Sequence, residues 1–305
     1  MGAAEWALVG LHALLWGTAF FFAELAIPEL PALTITAFRL LPASFILAGA
    51  CWWLGYRFPA TWRDWGQLVL LAAVNNVTPM LLILWAQREV TGGIAAVFNA
   101  TTPLFGVFLA HVFTQDERLS ILKVSAILIG ISGVALLVGA DVFEGLGSSG
   151  LSKLALLGAA LCYAAAGVYA RRFPQYPPQV LAVGQMIGAL MLSMPLALLV
   201  DQPWTLSPPS ATAAAAVVGM GLFSSALAGL CYFTVLKRAG ATNAMLATLL
   251  VPVTPIVLGG LFLGEALTPR EITGGCIIAL ALLTIDGRLF GRLAALFRRL
   301  DSRYR

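Results

Sequence analysis

The chain is a succession of apolar stretches, each long enough to cross a bilayer as a helix, joined by short polar connectors. Ten such stretches run at roughly 6–27, 33–54, 65–87, 92–113, 121–140, 152–170, 179–200, 211–236, 242–263 and 271–286. About 20 apolar residues cross the hydrocarbon core as an α-helix, and in lipid only helices and closed barrels satisfy their own backbone. The pattern predicts an all-α membrane protein of ten transmembrane helices. Composition agrees: 60% of the 305 residues are hydrophobic and 10% charged, against about a quarter charged in a soluble domain. The connectors, such as Pro28-Glu29-Leu30-Pro31 and the proline-rich 174–178 and 203–209, are too short to hold a soluble domain. Any function therefore has to sit inside the bundle. The first stretch has no Lys or Arg before it and many like it after, so it reads as an uncleaved helix rather than a signal peptide.

The basic residues predict an orientation. With the N-terminus cytoplasmic, the inner side receives Arg57, Arg63, Arg118, Lys123, Arg171, Arg172, Lys237 and Arg238, and the tail residues Arg288, Arg292, Arg298, Arg299, Arg303 and Arg305. The outer side receives only Arg88, Lys153 and Arg270, and Arg39 falls within the second stretch. Positive charge collects on the cytoplasmic side, so both termini are expected there, in a multi-pass protein of the bacterial inner membrane. The net charge of +4 then reflects basic loops facing anionic lipid, and nucleic acid is not an expected partner. Cys51, Cys162, Cys231 and Cys276 all lie in apolar runs without metal-ligand spacing, so no disulfide, metal or cofactor is expected. There is no Walker motif, HExxH or GxSxG, which argues against nucleotide-driven work and against an enzyme.

A shift of 149 residues lays the chain on itself. Asn75-Asn76 falls on Ser224-Ser225, Arg88 on Lys237, Pro103 on Pro252, Phe113 on Phe262 and Asp116 on Glu265. A constant offset predicts two repeats, at 1–147 and 148–288, followed by a basic cytoplasmic tail at 289–305. Five helices per repeat is an odd number, so the second repeat enters the membrane inverted, as in secondary transporters whose sites lie near the midplane between the halves.

Leu15-Trp16-Gly17-Thr18, Phe38-Arg39-Leu40, Pro103 followed by Asp116-Glu117-Arg118-Leu119-Ser120, and the run from Leu249-Leu250-Val251-Pro252-Val253-Thr254-Pro255 to Leu263-Gly264-Glu265-Ala266-Leu267-Thr268 resemble the EamA family of the drug/metabolite transporter superfamily. The resemblance spans both halves. It implies a ten-helix bundle with a central cavity that exports amino acids or similar small metabolites by alternating access. Many family members carry Glu directly before the proline of the ninth helix, where this chain has Val251; no coupling residue is carried over. The expected partners are a small-molecule substrate and the bilayer, with the chain a monomer or a homodimer. The alternative is a flippase for lipid or lipid-linked sugar, which needs polar groups within the bundle too.

The residues themselves point to a candidate site. Asn75 and Asn76 sit mid-helix, where an amide either bonds a neighbouring helix or faces a cavity; Thr78 and Pro79 follow closely. Asn99, Thr102 and Pro103 form a polar, broken stretch in the fourth helix, and Thr248, Pro252 and Pro255 its counterpart in the ninth. Paired proline kinks suit gating bends as well as simple shaping of the bundle. Trp16, Tyr163 and Tyr232 lie within helices rather than at interfaces, so they suit stacking on a substrate or core packing. With Ser224 and Ser225 these make the expected substrate lining. Glu24 and Arg39 lie within a turn or two of the outer surface and are expected to pair there.

Overall fold

The computed structural model describes residues 3–113, 121–138, 148–239, 247–248 and 250–286. The motif at 116–120, Leu249 and the basic tail at 289–305 lie outside the described residues. The described chain is helical, with no strand among these residues. Its helices are α1 (Ala3–Ala26), α2 (Ala32–Trp53), α3 (Trp62–Ala86), α4 (Gly92–Phe113), α5 (Ile121–Val138), α6 (Ser148–Ala170), α7 (Pro178–Asp201), α8 (211–239), α9 (Val253–Leu263) and α10 (Pro269–Asp286). Among the described residues seven of these, α1 to α4 and α6 to α8, are long and apolar enough to cross a membrane; α5 and α9 are shorter apolar helices. Large apolar side chains face outward, among them Phe45 (71% exposed), Leu199 (75%) and Leu261 (73%). Water would penalise that surface, and lipid accommodates it.

α1 packs on α8 and α9, and α6 packs on α3 and α4. α2 lies against α7 and α8, α3 against α7, α4 against α9, and α5 against α10. The α5–α10 approach runs glycine to glycine: a methyl group at Gly133 would lie 3.0 Å from the Gly274 carbonyl oxygen, and one at Gly274 3.1 Å from that of Gly133. Such close backbone contact is how helices associate in lipid, where no hydrophobic force drives them together.

The interruptions have local causes. In α3 the turn Ala73–Val77 is a π-helical bulge, in which the Thr78 N–H reaches back five residues to the Ala73 carbonyl. Pro79 follows, and its missing N–H and bulky ring disturb the regular ladder there. α8 carries a second bulge at Met220–Leu227, where Ser225 donates its hydroxyl to the Met220 carbonyl at 3.2 Å. In α4 the helix breaks between Asn99 and Thr102. Pro103 cannot donate to the Asn99 carbonyl four residues back, and the Thr102 hydroxyl donates to that oxygen instead, at 2.7 Å. Thr101 does the same for the Phe98 carbonyl at 2.6 Å. In α9, Pro255 leaves the Val251 carbonyl with only a 3.3 Å bond from the Thr254 N–H.

Candidate functional site

Ten of the eleven residues expected to line a site surround one cavity of about 480 Å³. They are Trp16, Asn75, Asn76, Asn99, Thr102, Tyr163, Ser224, Ser225, Tyr232 and Thr248. Five helices and the entry to α9 bring them together, and the two π bulges deliver the Asn75-Asn76 and Ser224-Ser225 pairs. A bulge rotates the residues after it and opens a backbone turn, which is why such bulges recur at functional sites. Thr78 does not join them; it is exposed, one position beyond its bulge. Pro79 and Pro255 are buried without lining the cavity. Pro103 and Pro252 sit at the breaks of their helices, outside the lining.

The lining is internally bonded. The Asn75 amide donates to the Gln185 carbonyl oxygen at 2.7 Å, and Thr18 and Ser224 share a hydroxyl–hydroxyl bond of 2.8 Å. His12 Nδ1–H donates to the Ala228 carbonyl at 3.0 Å, and its ring lies between Trp16 and Tyr232 with centroids 5.6 and 5.5 Å away. Other polar atoms have no partner: Asn76 Nδ2, Asn99 Oδ1 and Arg39 Nε are buried and unbonded. Buried polar groups left unsatisfied are costly and call for an explanation. His12 and Gln185 were not singled out from the sequence. Each is a polar side chain inside an apolar run, which is the signal that marks them.

The expected Glu24–Arg39 pair does not form. Arg39 turns inward from α2 to line the cavity and donates to the Ser225 hydroxyl at 3.3 Å. Glu24 accepts instead from the Gly92 N–H at the start of α4 and faces Glu265, beyond α9. A carboxylate at a helix N-terminus is favourably placed against the helix dipole. The two charges therefore serve different neighbourhoods although only about fifteen residues separate them.

The cavity reaches the last residue of α6 (Ala170) and the first of α7 (Pro178) at one end. In the other direction it narrows past Trp16, Arg39 and Asn99 to a space of about 40 Å³ beside Phe20, Met80 and Gln87. There Gln87 donates to the Phe20 carbonyl at 2.9 Å, and Gly17 of α1 lies against the Val251 backbone at the entry to α9 and against Thr254 within it. The arrangement is a chamber open toward one end of the bundle and packed shut toward the other.

The EamA-like transporter family model matches the chain twice, over residues 5–139 and 151–285. The "Probable terminal-alkyne amino-acid exporter" of Streptantibioticus cattleyicolor is 28% identical over 293 residues, covering 95% of each chain. The "Uncharacterized inner membrane transporter YedA" of Escherichia coli is 26% identical and covers 93% of this chain and 91% of that one. "Protein PecM" of Dickeya dadantii is 26% identical, covering 91% of each. A solved crystal structure superposes with a TM-score of 0.65 at 20% identity, covering 95% of this chain and 99% of that one; this likeness speaks to the fold alone.

Proposed function

This chain belongs to the EamA-like transporter family, and from that premise we propose that it is a secondary transporter exporting amino acids or similar small metabolites across the inner membrane by alternating access. The carrying observation is the convergence of polar and aromatic side chains from both halves on one chamber of about 480 Å³, a size suited to a small solute. The chamber is open toward one end and packed shut toward the other, as one half of an access cycle requires. The relative named as an amino-acid exporter supports the solute class. Family and relatives point to transport rather than to enzymatic chemistry.

In this reading all ten helices cross, and 1–147 and 148–288 are two inverted repeats. Support comes from the packing. Exchanging α1 with α6, α2 with α7, α3 with α8, α4 with α9 and α5 with α10 turns α1·α8 into α6·α3, α1·α9 into α6·α4 and α2·α8 into α7·α3, all of which occur. The bulges at Asn75-Asn76 and Ser224-Ser225 also sit at the 149-residue offset. The breaks at Pro103 and at Pro252 and Pro255 serve as the paired gating bends, and both termini are cytoplasmic.

The test is solute counterflow in proteoliposomes across amino acids, nucleobases and sugars. Exchange of a soluble metabolite, reduced by Asn75→Ala and Asn76→Ala at equal protein levels, is expected. Scrambling of labelled lipid with no metabolite exchange refutes the exporter reading in favour of a flippase. Unchanged transport in both variants removes the chamber as the site.

A further inference from the structure

The deepest charged group in the chamber has nothing to balance it. Arg39 is 9% exposed, and of its five N–H donors one makes a bond, a long 3.3 Å contact to the Ser225 hydroxyl. Its Nε is buried with no partner. Among the described residues no carboxylate pairs with it, since Glu24 is engaged with Gly92. Among the described residues the lining includes no Asp, Glu or Lys, so none of them cancels the field of the guanidinium. A guanidinium keeps its proton, and holding a bare charge within a membrane protein is unfavourable until an opposite charge arrives. Its planar fork matches a planar two-oxygen anion, which it binds with two parallel bonds.

The surroundings fit the rest of such a solute. Asn99 Oδ1 and Asn76 Nδ2 are a free acceptor and a free donor in the same lining. The rings of Trp16, His12 and Tyr232 form a contiguous aromatic surface in that lining. Among the described lining residues no acidic side chain is present to hold an ammonium group.

We propose that the chamber selects solutes carrying a carboxylate, which docks on the unpaired Arg39 fork, and that an α-amino group on the solute is tolerated rather than required. This rests on the carrier reading above. Asn99 and Asn76 bond the polar group next to the carboxylate, and the aromatic wall takes the apolar remainder.

The experiment is counterflow with the full chain in proteoliposomes. L-phenylalanine, L-leucine and L-threonine are each compared with their amide, their decarboxylated amine and their 2-hydroxy acid; phenyl phosphate serves as a second anion. The amino acids and the 2-hydroxy acids are expected to exchange, with the amides and amines weaker by roughly 30-fold or more, as when one partner of a buried charge pair is lost. Arg39→Gln is expected to bring the acids down to the level of the amides. Arg39→Lys, which keeps the charge without the fork, retains a reduced preference. If Arg39→Gln does not fold, the wild-type series and Arg39→Lys decide. Amides or amines exchanging as well as the acids, or phenyl phosphate exceeding all the carboxylates, overturns the carboxylate inference alone. Exchange of no solute by the wild type overturns the carrier reading itself.

Discussion

The crossing of α1 over α9 offers a sharp test of the packing. A methyl group added at Gly17 would lie 2.6 Å from the Val251 carbonyl oxygen and 2.6 Å from Thr254 Cβ. Ordinary contact begins near 3.4 Å, so Gly17→Ala obliges α1 and α9 to part by about 0.8 Å or the break at Pro255 to reshape. Overpacking of this kind costs about 1–3 kcal/mol. Alanine also gains about 1 kcal/mol over glycine in a helix interior, which masks part of the loss. Gly10→Ala, on the same helix, supplies the correction: a methyl there meets nothing within 4 Å. The propensity gain is common to both variants, so the difference between them isolates the clash. The assay is the melting temperature of the detergent-solubilised protein. At roughly 2–4 °C per kcal/mol, Gly17→Ala is expected to melt about 2–12 °C below Gly10→Ala. Equal melting temperatures would refute the close α1–α9 approach.

Three further outcomes are expected. A double-mutant cycle between Asn75→Ala and Gln185→Ala should give a coupling near 1 kcal/mol for their 2.7 Å bond; additive losses would mean that the bond is absent in the membrane. At the turn after α1, Glu29 accepts from both the hydroxyl and the N–H of Ser210, each at 2.6 Å, and the hydroxyl bond, then the amide bond, hold its carboxyl below the usual range. With its folded value below its unfolded one, the stabilisation is complete above the unfolded value and fades as pH falls through the folded one. Acidification should therefore lower the melting temperature of the wild type more than that of Glu29→Gln, and parallel pH curves would contradict this. A periplasm-dependent reporter fused to the C-terminus should stay silent; its activity would reverse the orientation.

The sequence makes the axial positions of the helices legible and their rotations much less so. The stretch at 92–113 coincides with α4 and that at 179–200 falls within one residue of α7 at each end. Such boundaries follow from hydrophobic length and from proline or charge at the connectors, which are local properties. Rotation is another matter. A helix that is apolar all round offers no amphipathic stripe to say which side faces inward. Arg39 lies in the first half of α2, and its azimuth directs it to Ser225 rather than to Glu24. Thr78 is expected to line the site with Asn75 and Asn76, whereas it follows the Ala73–Val77 bulge and is exposed. The polar mid-helix residues Asn75, Asn99 and Ser224 were legible because isolated polar groups in lipid-spanning segments have few places to go but inward.

The break in α4 has a mechanical consequence. The carbonyl that Pro103 abandons, that of Asn99, takes its hydrogen bond from Thr102, and the carbonyl of Phe98 takes one from Thr101. These donors are carried on short side chains, so in the proposed gating role each oxygen would keep a donor as the joint bends. A regular helix bent at the same place would have to tear ladder bonds in a medium without water to replace them. As one of the paired gating bends proposed above, the joint would keep the same bond inventory as it bends. In the proposed access cycle, such a joint would leave the balance between the two poses to be set by solute occupancy.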